Sequence, residues 1–175
     1  MKFYDELYKM KNIVRRGWIL KDIGDINSGR KESDAEHIFS MLLFAWKIME
    51  EEKLKLNQEK VFKLIMSHEI GEIDAGDITI DDGVSLSDKF NKELVGVTRV
   101  AETYNMPKIK KYWIEFEENK TPEAKFVKAI DKLDALMQCK IYSKMNNRPE
   151  VYEEFSQILP LEFYFLQIQS SIFLF

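Results

Sequence analysis

Apolar positions recur at helical spacing along almost the whole chain. Phe3, Leu7, Met10 and Val14 fall on one stripe between Met1 and about Ile13. Ser33-Asp34-Ala35-Glu36 has the form of a capping box, in which Ser and Glu three positions apart satisfy free backbone N–H groups at a helix start. Behind it His37, Met41, Phe44 and Ile48 share a face, with Leu42, Ala45 and Met49 beside them, to about Glu52. Asn57 is placed to cap a further helix, with Val61, Leu64, Ile65 and His68 on its inner side. The stretch from Ser87 to about Asn105 turns Phe90, Leu94 and Val97 inward. Pro107 to Glu118 does the same with Ile109, Tyr112, Trp113 and Phe116. Thr121-Pro122 reads as another start, with proline at the first helical position. Phe126, Ile130, Leu133 and Met137 continue from it to about Tyr142, and Pro149 opens a last segment. Asp22 to Lys31 and Asp81-Asp82-Gly83 read as loops.

Composition agrees with this pattern. Seven glycines and four prolines are too few to punctuate many short strands, so the chain reads as all-α, a bundle of about seven to eight helices. Its 175 residues make one domain's length, with 45% hydrophobic and 32% charged residues. We place the core at about 12–145 and expect an apolar C-terminal helix over 150–175. No repeat, low-complexity tract or linker interrupts it.

The net charge of -4 and the absence of a basic stripe exclude a general nucleic-acid-binding module, but leave room for a small anion in a local pocket. Cys139 is the one cysteine, so no internal disulfide forms; this fits a reducing cytoplasm and a packing role for the thiol. Asp5 and Glu6 interrupt the N-terminus, which does not read as a signal peptide. Ile158 to Phe175 is the most apolar stretch, but Pro160, Glu162, Gln167 and Gln169 break it, and it is shorter than the ~20 apolar residues of a membrane span. It reads as a helix docking on the core or on a second subunit.

The chemistry concentrates around the stretch from Ile65 to Asp77, which carries His68, Glu69, Glu72, Asp74 and Asp77. His37 is the second of two histidines. Asp131 and Asp134 lie one turn apart beside the apolar stripe of their helix. Singly, each has an ordinary reading: a core or capping histidine, or a solvated helix edge. Together, two imidazoles and nearby carboxylates on three helices make a ligand set for a divalent transition metal. Converging them in the interior without a cation is costly. Arg15, Arg16 and Trp18 follow the first helix. They offer either a forked phosphate donor with an aromatic face, or a helix terminus with a core tryptophan.

The order of these elements resembles the HD-domain metal-dependent phosphohydrolase superfamily, and in detail its 5'-deoxynucleotidase branch. The matching stretches are Arg15 to Trp18, Ala35 to His37, His68 to Asp77, and Thr121 to Asp134. The resemblance implies that His37, His68, Glu69 and Asp131 ligate one divalent ion (Mn, Co, Zn, Fe or Mg). Glu69 stands where the family usually has aspartate. It also implies that Glu72 and Asp77 are the catalytic carboxylates, that Arg15 and Trp18 contact the phosphate and nucleoside, with Arg16 as the alternative arginine, and that the protein is a homodimer. The implied reaction is hydrolysis of (deoxy)nucleoside 5'-monophosphates. Alternatives are hydrolysis of a triphosphate or signalling nucleotide, and nucleotide binding without cleavage.

Overall fold

The structure is a computed structural model, and it describes residues 2–158. Seven helices of nine or more residues are α1 (Lys2–Met10), α3 (Asp34–Glu51), α4 (Gln58–Ser67), α6 (Leu86–Thr103), α7 (Pro107–Glu118), α8 (Pro122–Met145) and α9 (Pro149–Ile158). Two further segments, α2 (Arg16–Leu20) and α5 (Glu72–Ala75), are too short to leave a periodic stripe in the sequence. No strand forms among the described residues; Val14 and Ser33 make a single antiparallel bridge.

The helix starts follow local chemistry. Ser33 Oγ accepts from the Glu36 N–H while the Glu36 carboxylate accepts from the Ser33 N–H, the reciprocal capping box. Asn57, Ser85 and Thr121 cap α4, α6 and α8 by the same kind of side-chain acceptor.

One core cluster joins α3, α4, α7 and α8 through Met41, Ala45, Val61, Leu64, Ile65, Phe116, Phe126, Ile130 and Leu133. A second joins α1, α6 and α7 through Met10, Val97, Val100 and Trp113. A third packs Trp18 and Ile23 against Cys139, Tyr142 and Val151. Cys139 is fully buried, as a packing residue. The long helix α8 serves the first and third clusters, and Asp131 and Asp134 are carried inward with it. Both expectations for Asp131 and Asp134 as a solvated edge give way to burial, because α8 is packed on nearly all sides.

The segment before α2 is pinned to the start of α3. Arg15 N–H donates to Glu32 O (2.9 Å) and Asp34 N–H donates to Ile13 O (3.0 Å). This brings Arg15 beside the first turn of α3, where His37 sits. No described helix is long and apolar enough to cross a membrane. The apolar segment beyond Ile158 lies outside the described residues.

Candidate metal centre

His37 comes from the first turn of α3, His68 and Glu69 from the end of α4, and Asp131 from the middle of α8. One ligand atom from each lies within 4.8 Å of the others. All four residues are buried, His37 completely. His37 Nε2 lies 3.2 Å from Asp131 Oδ1 and 3.8 Å from Glu69 Oε1, and His68 Nε2 lies 3.1 Å from Glu69 Oε1.

The outer nitrogens decide what the inner ones offer. His37 Nδ1 is 2.8 Å from Asp134 Oδ2, and His68 Nδ1 is 2.7 Å from the Ile65 carbonyl. Both acceptors take a proton from Nδ1, which leaves each Nε2 with a lone pair. Both Nε2 atoms are buried without a hydrogen-bond partner; the short approaches of Glu69 and Asp131 lack hydrogen-bond angles. Two bare imidazole lone pairs beside two carboxylates form a donor set that a divalent cation satisfies. The residues present therefore fit the metal.

The charges sort the acids into two kinds. Burial pushes the Glu69 carboxyl up, but His68 and Arg15 outweigh it and hold Glu69 well below the usual carboxylate range. Asp131 is likewise held low against burial, by Lys132 and His37. Burial and Arg15 pull the His37 imidazole down, yet the neighbouring carboxylates of Asp131 and Asp134 win and raise it to about 9, a proton that a divalent ion at Nε2 would replace. For the neighbouring acids Glu72 and Asp34 the order reverses. Burial, then the charges of Glu69, Asp77 and Asp34, push Glu72 well above its ordinary value. Burial and Glu69 raise Asp34 to about 8. Glu69 and Asp131 are thus favoured as carboxylates and Asp34 and Glu72 as carboxylic acids, a separation that suits like groups to different tasks.

Asp34, Glu72 and Asp77 form a second group whose oxygens lie within 4.8 Å of one another. Both Asp34 oxygens and Glu72 Oε2 are buried without partners, so this group too has capacity for protons or a cation. Gly76 ends α5 at φ 72°, a conformation glycine adopts without strain, and the chain turns there to present Asp77. Arg16 N–H donates to Asp77 Oδ2 (2.7 Å), and Arg16 Nε donates to Asp82 Oδ1 (3.0 Å). Asp34 was not singled out from the sequence. Its signal was the spacing of three residues to His37, masked by its place inside a capping box.

The two arginines are now distinguishable. Arg15 donates to Glu69 Oε1 at 2.6 Å and reaches to 4.0 Å from Asp131 Oδ1, so it stands at the ligand group; Arg16 ties down the Asp77 loop instead. Trp18 does not join the group. It is 4% exposed, packs edge-on against Tyr142 (5.6 Å between ring centres), and donates its indole N–H to Glu32 Oε2 (2.9 Å). Glu32 in turn lies with Asp134 and His37 in a group spanning no more than 4.8 Å. An aromatic beside two arginines reads the same in sequence whether it faces a ligand or the core; here α9 covers it.

The profile of the HD domain family matches residues 7–162. The chain belongs to the HD domain family. This HD domain is 28% identical over 158 residues to the 5'-deoxynucleotidase HDDC2 of Danio rerio, covering 89% of this chain and 75% of that one. It is 30% identical over 161 residues to the 5'-deoxynucleotidase hdd1 of Schizosaccharomyces pombe, covering 88% and 77%. Among solved structures it shares its fold with a Pyrococcus horikoshii protein, at a TM-score of 0.70, 24% identity and 97% coverage of both chains. A Magnetospirillum magnetotacticum protein described as a predicted metal-dependent phosphohydrolase superposes with a TM-score of 0.64 at 24% identity, covering 98% and 93%.

Proposed function

We propose that this HD domain is a metal-dependent phosphohydrolase acting on (deoxy)nucleoside 5'-monophosphates and releasing nucleoside and phosphate. The observation that carries the reading is the convergence of the two partnerless Nε2 atoms with Glu69 and Asp131. The 5'-deoxynucleotidases above support the substrate class.

His37, His68, Glu69 and Asp131 would hold a divalent ion, which when bound supplies positive charge beside the phosphate and acidifies a water molecule. Arg15, which stands at the ligand group, neutralises phosphate charge with a forked donor suited to two phosphate oxygens. Asp77 orients the attacking water and accepts its proton. Glu72, protonated in its buried setting, gives a proton to the departing 5' oxygen. Trp18 acts from behind, holding Glu32 and α2 in place rather than touching the nucleoside.

The reading extends to one domain over 1–175 and to a cytoplasmic homodimer. Support for the dimer is the apolar stripe of Phe39, Leu43 and Trp46, each at least half exposed on α3. Light scattering at micromolar concentration tests it, and a monomer there removes it.

The activity is tested by phosphate release from a panel of nucleoside monophosphates with Mn, Co, Zn or Mg added. Turnover with at least one metal supports the reading. A folded protein that binds no metal and turns over no substrate overturns it.

A further inference from the structure

Lys89 stands outside every residue set above, yet its ammonium group faces the same acids. Its Nζ donates to the Ile78 carbonyl at 2.6 Å, and lies 3.9 Å from Glu72 Oε1 and 3.4 Å from Glu93 Oε1. Ile78 directly follows Asp77. One ammonium group therefore reaches both ends of the segment that carries the two site acids.

The support beneath it is rigid. Lys89 sits in the first turns of α6, where its own N–H donates to the capping residue Ser85 (2.9 Å). The start of α5 meets α6 backbone to backbone. A Cβ on Gly71 would come within 2.6 Å of Glu93 Cβ, and one on Gly96 within 2.5 Å of the Gly71 carbonyl oxygen. Two glycines thus set the distance from α6 to Glu72. Glu93 is 4% exposed, and its Oε1 makes no hydrogen bond, so Lys89 is the charge that compensates it. A loop tether alone needs one donor. Lys89 supplies that donor and also sets a unit charge against Glu72.

We propose that Lys89 is a positioning residue. It fixes the Glu72 carboxyl group and the Asp77–Ile78 backbone relative to each other, with Glu93 holding the lysine in register. The two acids then meet the substrate in the geometry the reaction needs, and small displacements of such groups are costly in rate. This rests on the hydrolase reading above.

The test compares wild type, K89R and K89M in monophosphate hydrolysis, alongside melting temperature and hydrogen exchange of the peptide over residues 76–82. K89M is expected to lower kcat roughly 10- to 100-fold, more than its lowered melting temperature accounts for, with KM near wild type and faster exchange over 76–82. K89R, which keeps the charge and a donor, recovers most of the rate. An active wild type with unimpaired K89M overturns the assignment alone. So does a K89M whose rate falls only in step with its melting temperature and is not rescued by K89R. A wild type without turnover removes the hydrolase reading and the assignment together.

Discussion

His37 Nδ1 lies 2.8 Å from Asp134 Oδ2, and that contact turns the opposite nitrogen of the ring toward Glu69, His68 and Asp131. Among the described residues Asp134 hydrogen-bonds to no other member of the group. Its task is to fix the tautomer and angle of one imidazole. Removing such an outer partner typically weakens metal binding ~10- to 100-fold. Asp134→Ala is therefore expected to lower metal affinity by about that factor while the helical circular dichroism signal is retained. Competition with a chromogenic chelator measures it. Unchanged affinity would show that the ring is aimed by something else.

Arg15 contributes differently. Its guanidinium group bonds Glu69 Oε1, the oxygen that faces both histidines, but is not itself a ligand, so Arg15→Ala should retain metal binding. Hydrogen bonds to charged groups are worth ~1.5–3 kcal/mol, which corresponds to a loss of about tenfold to a hundredfold in kcat/KM. Arg15→Lys should recover only part, because an ammonium group lacks the fork. Steady-state kinetics decide between this and a purely structural arginine, which would leave kcat/KM unchanged at equal stability.

Trp18 tests the reverse assignment. Phe in its place keeps an aromatic ring but leaves Glu32 Oε2 without its donor in the interior. An unsatisfied buried acceptor costs ~1–3 kcal/mol. Trp18→Phe is expected to lower the urea midpoint accordingly, with KM for the nucleotide little changed. A raised KM at unchanged stability would return Trp18 to the nucleoside contact expected from the sequence.

How much of this could be read beforehand depends on whether a residue's role is local. The capping box at Ser33 and Glu36, the Thr121-Pro122 start and the stripes of α3 and α8 are local signals, and the structure follows them. The convergence of His37, His68, Glu69 and Asp131 was legible because two histidines in the chain leave few combinations, and because the spacing around His68 is distinctive. Asp34, Lys89 and Glu93 were not legible. Asp34 reads as a cap-region acid, and a lysine four residues before a glutamate reads as a solvated helix pair. What brings Glu93 and Lys89 to Glu72 is the close meeting of α5 and α6 at Gly71 and Gly96, which no pattern within either helix announces. The burial of Trp18 was not legible for the same reason: the α9 cover over it comes from the far end of the chain.

Acid should loosen the attachment of α1. Arg99 on α6 donates to both Glu6 oxygens (2.9 and 3.0 Å) and also to Asp74. The Arg99 bonds hold the Glu6 carboxyl at about 2, against an ordinary 4.5. A depressed carboxyl stabilises the fold above its unfolded value and loses that contribution as pH falls through the folded one. The stability difference between wild type and Glu6→Gln should therefore be constant near neutral pH and shrink from about pH 4.5 toward pH 2. Urea titrations across that range check it; a difference that grows on acidification would contradict the assignment.

The direct measurement is anomalous scattering from a crystal of the protein grown with manganese. The account predicts a peak bonded by His37 Nε2, His68 Nε2, Glu69 and Asp131. A manganese-loaded crystal with no anomalous density among those four residues would contradict it.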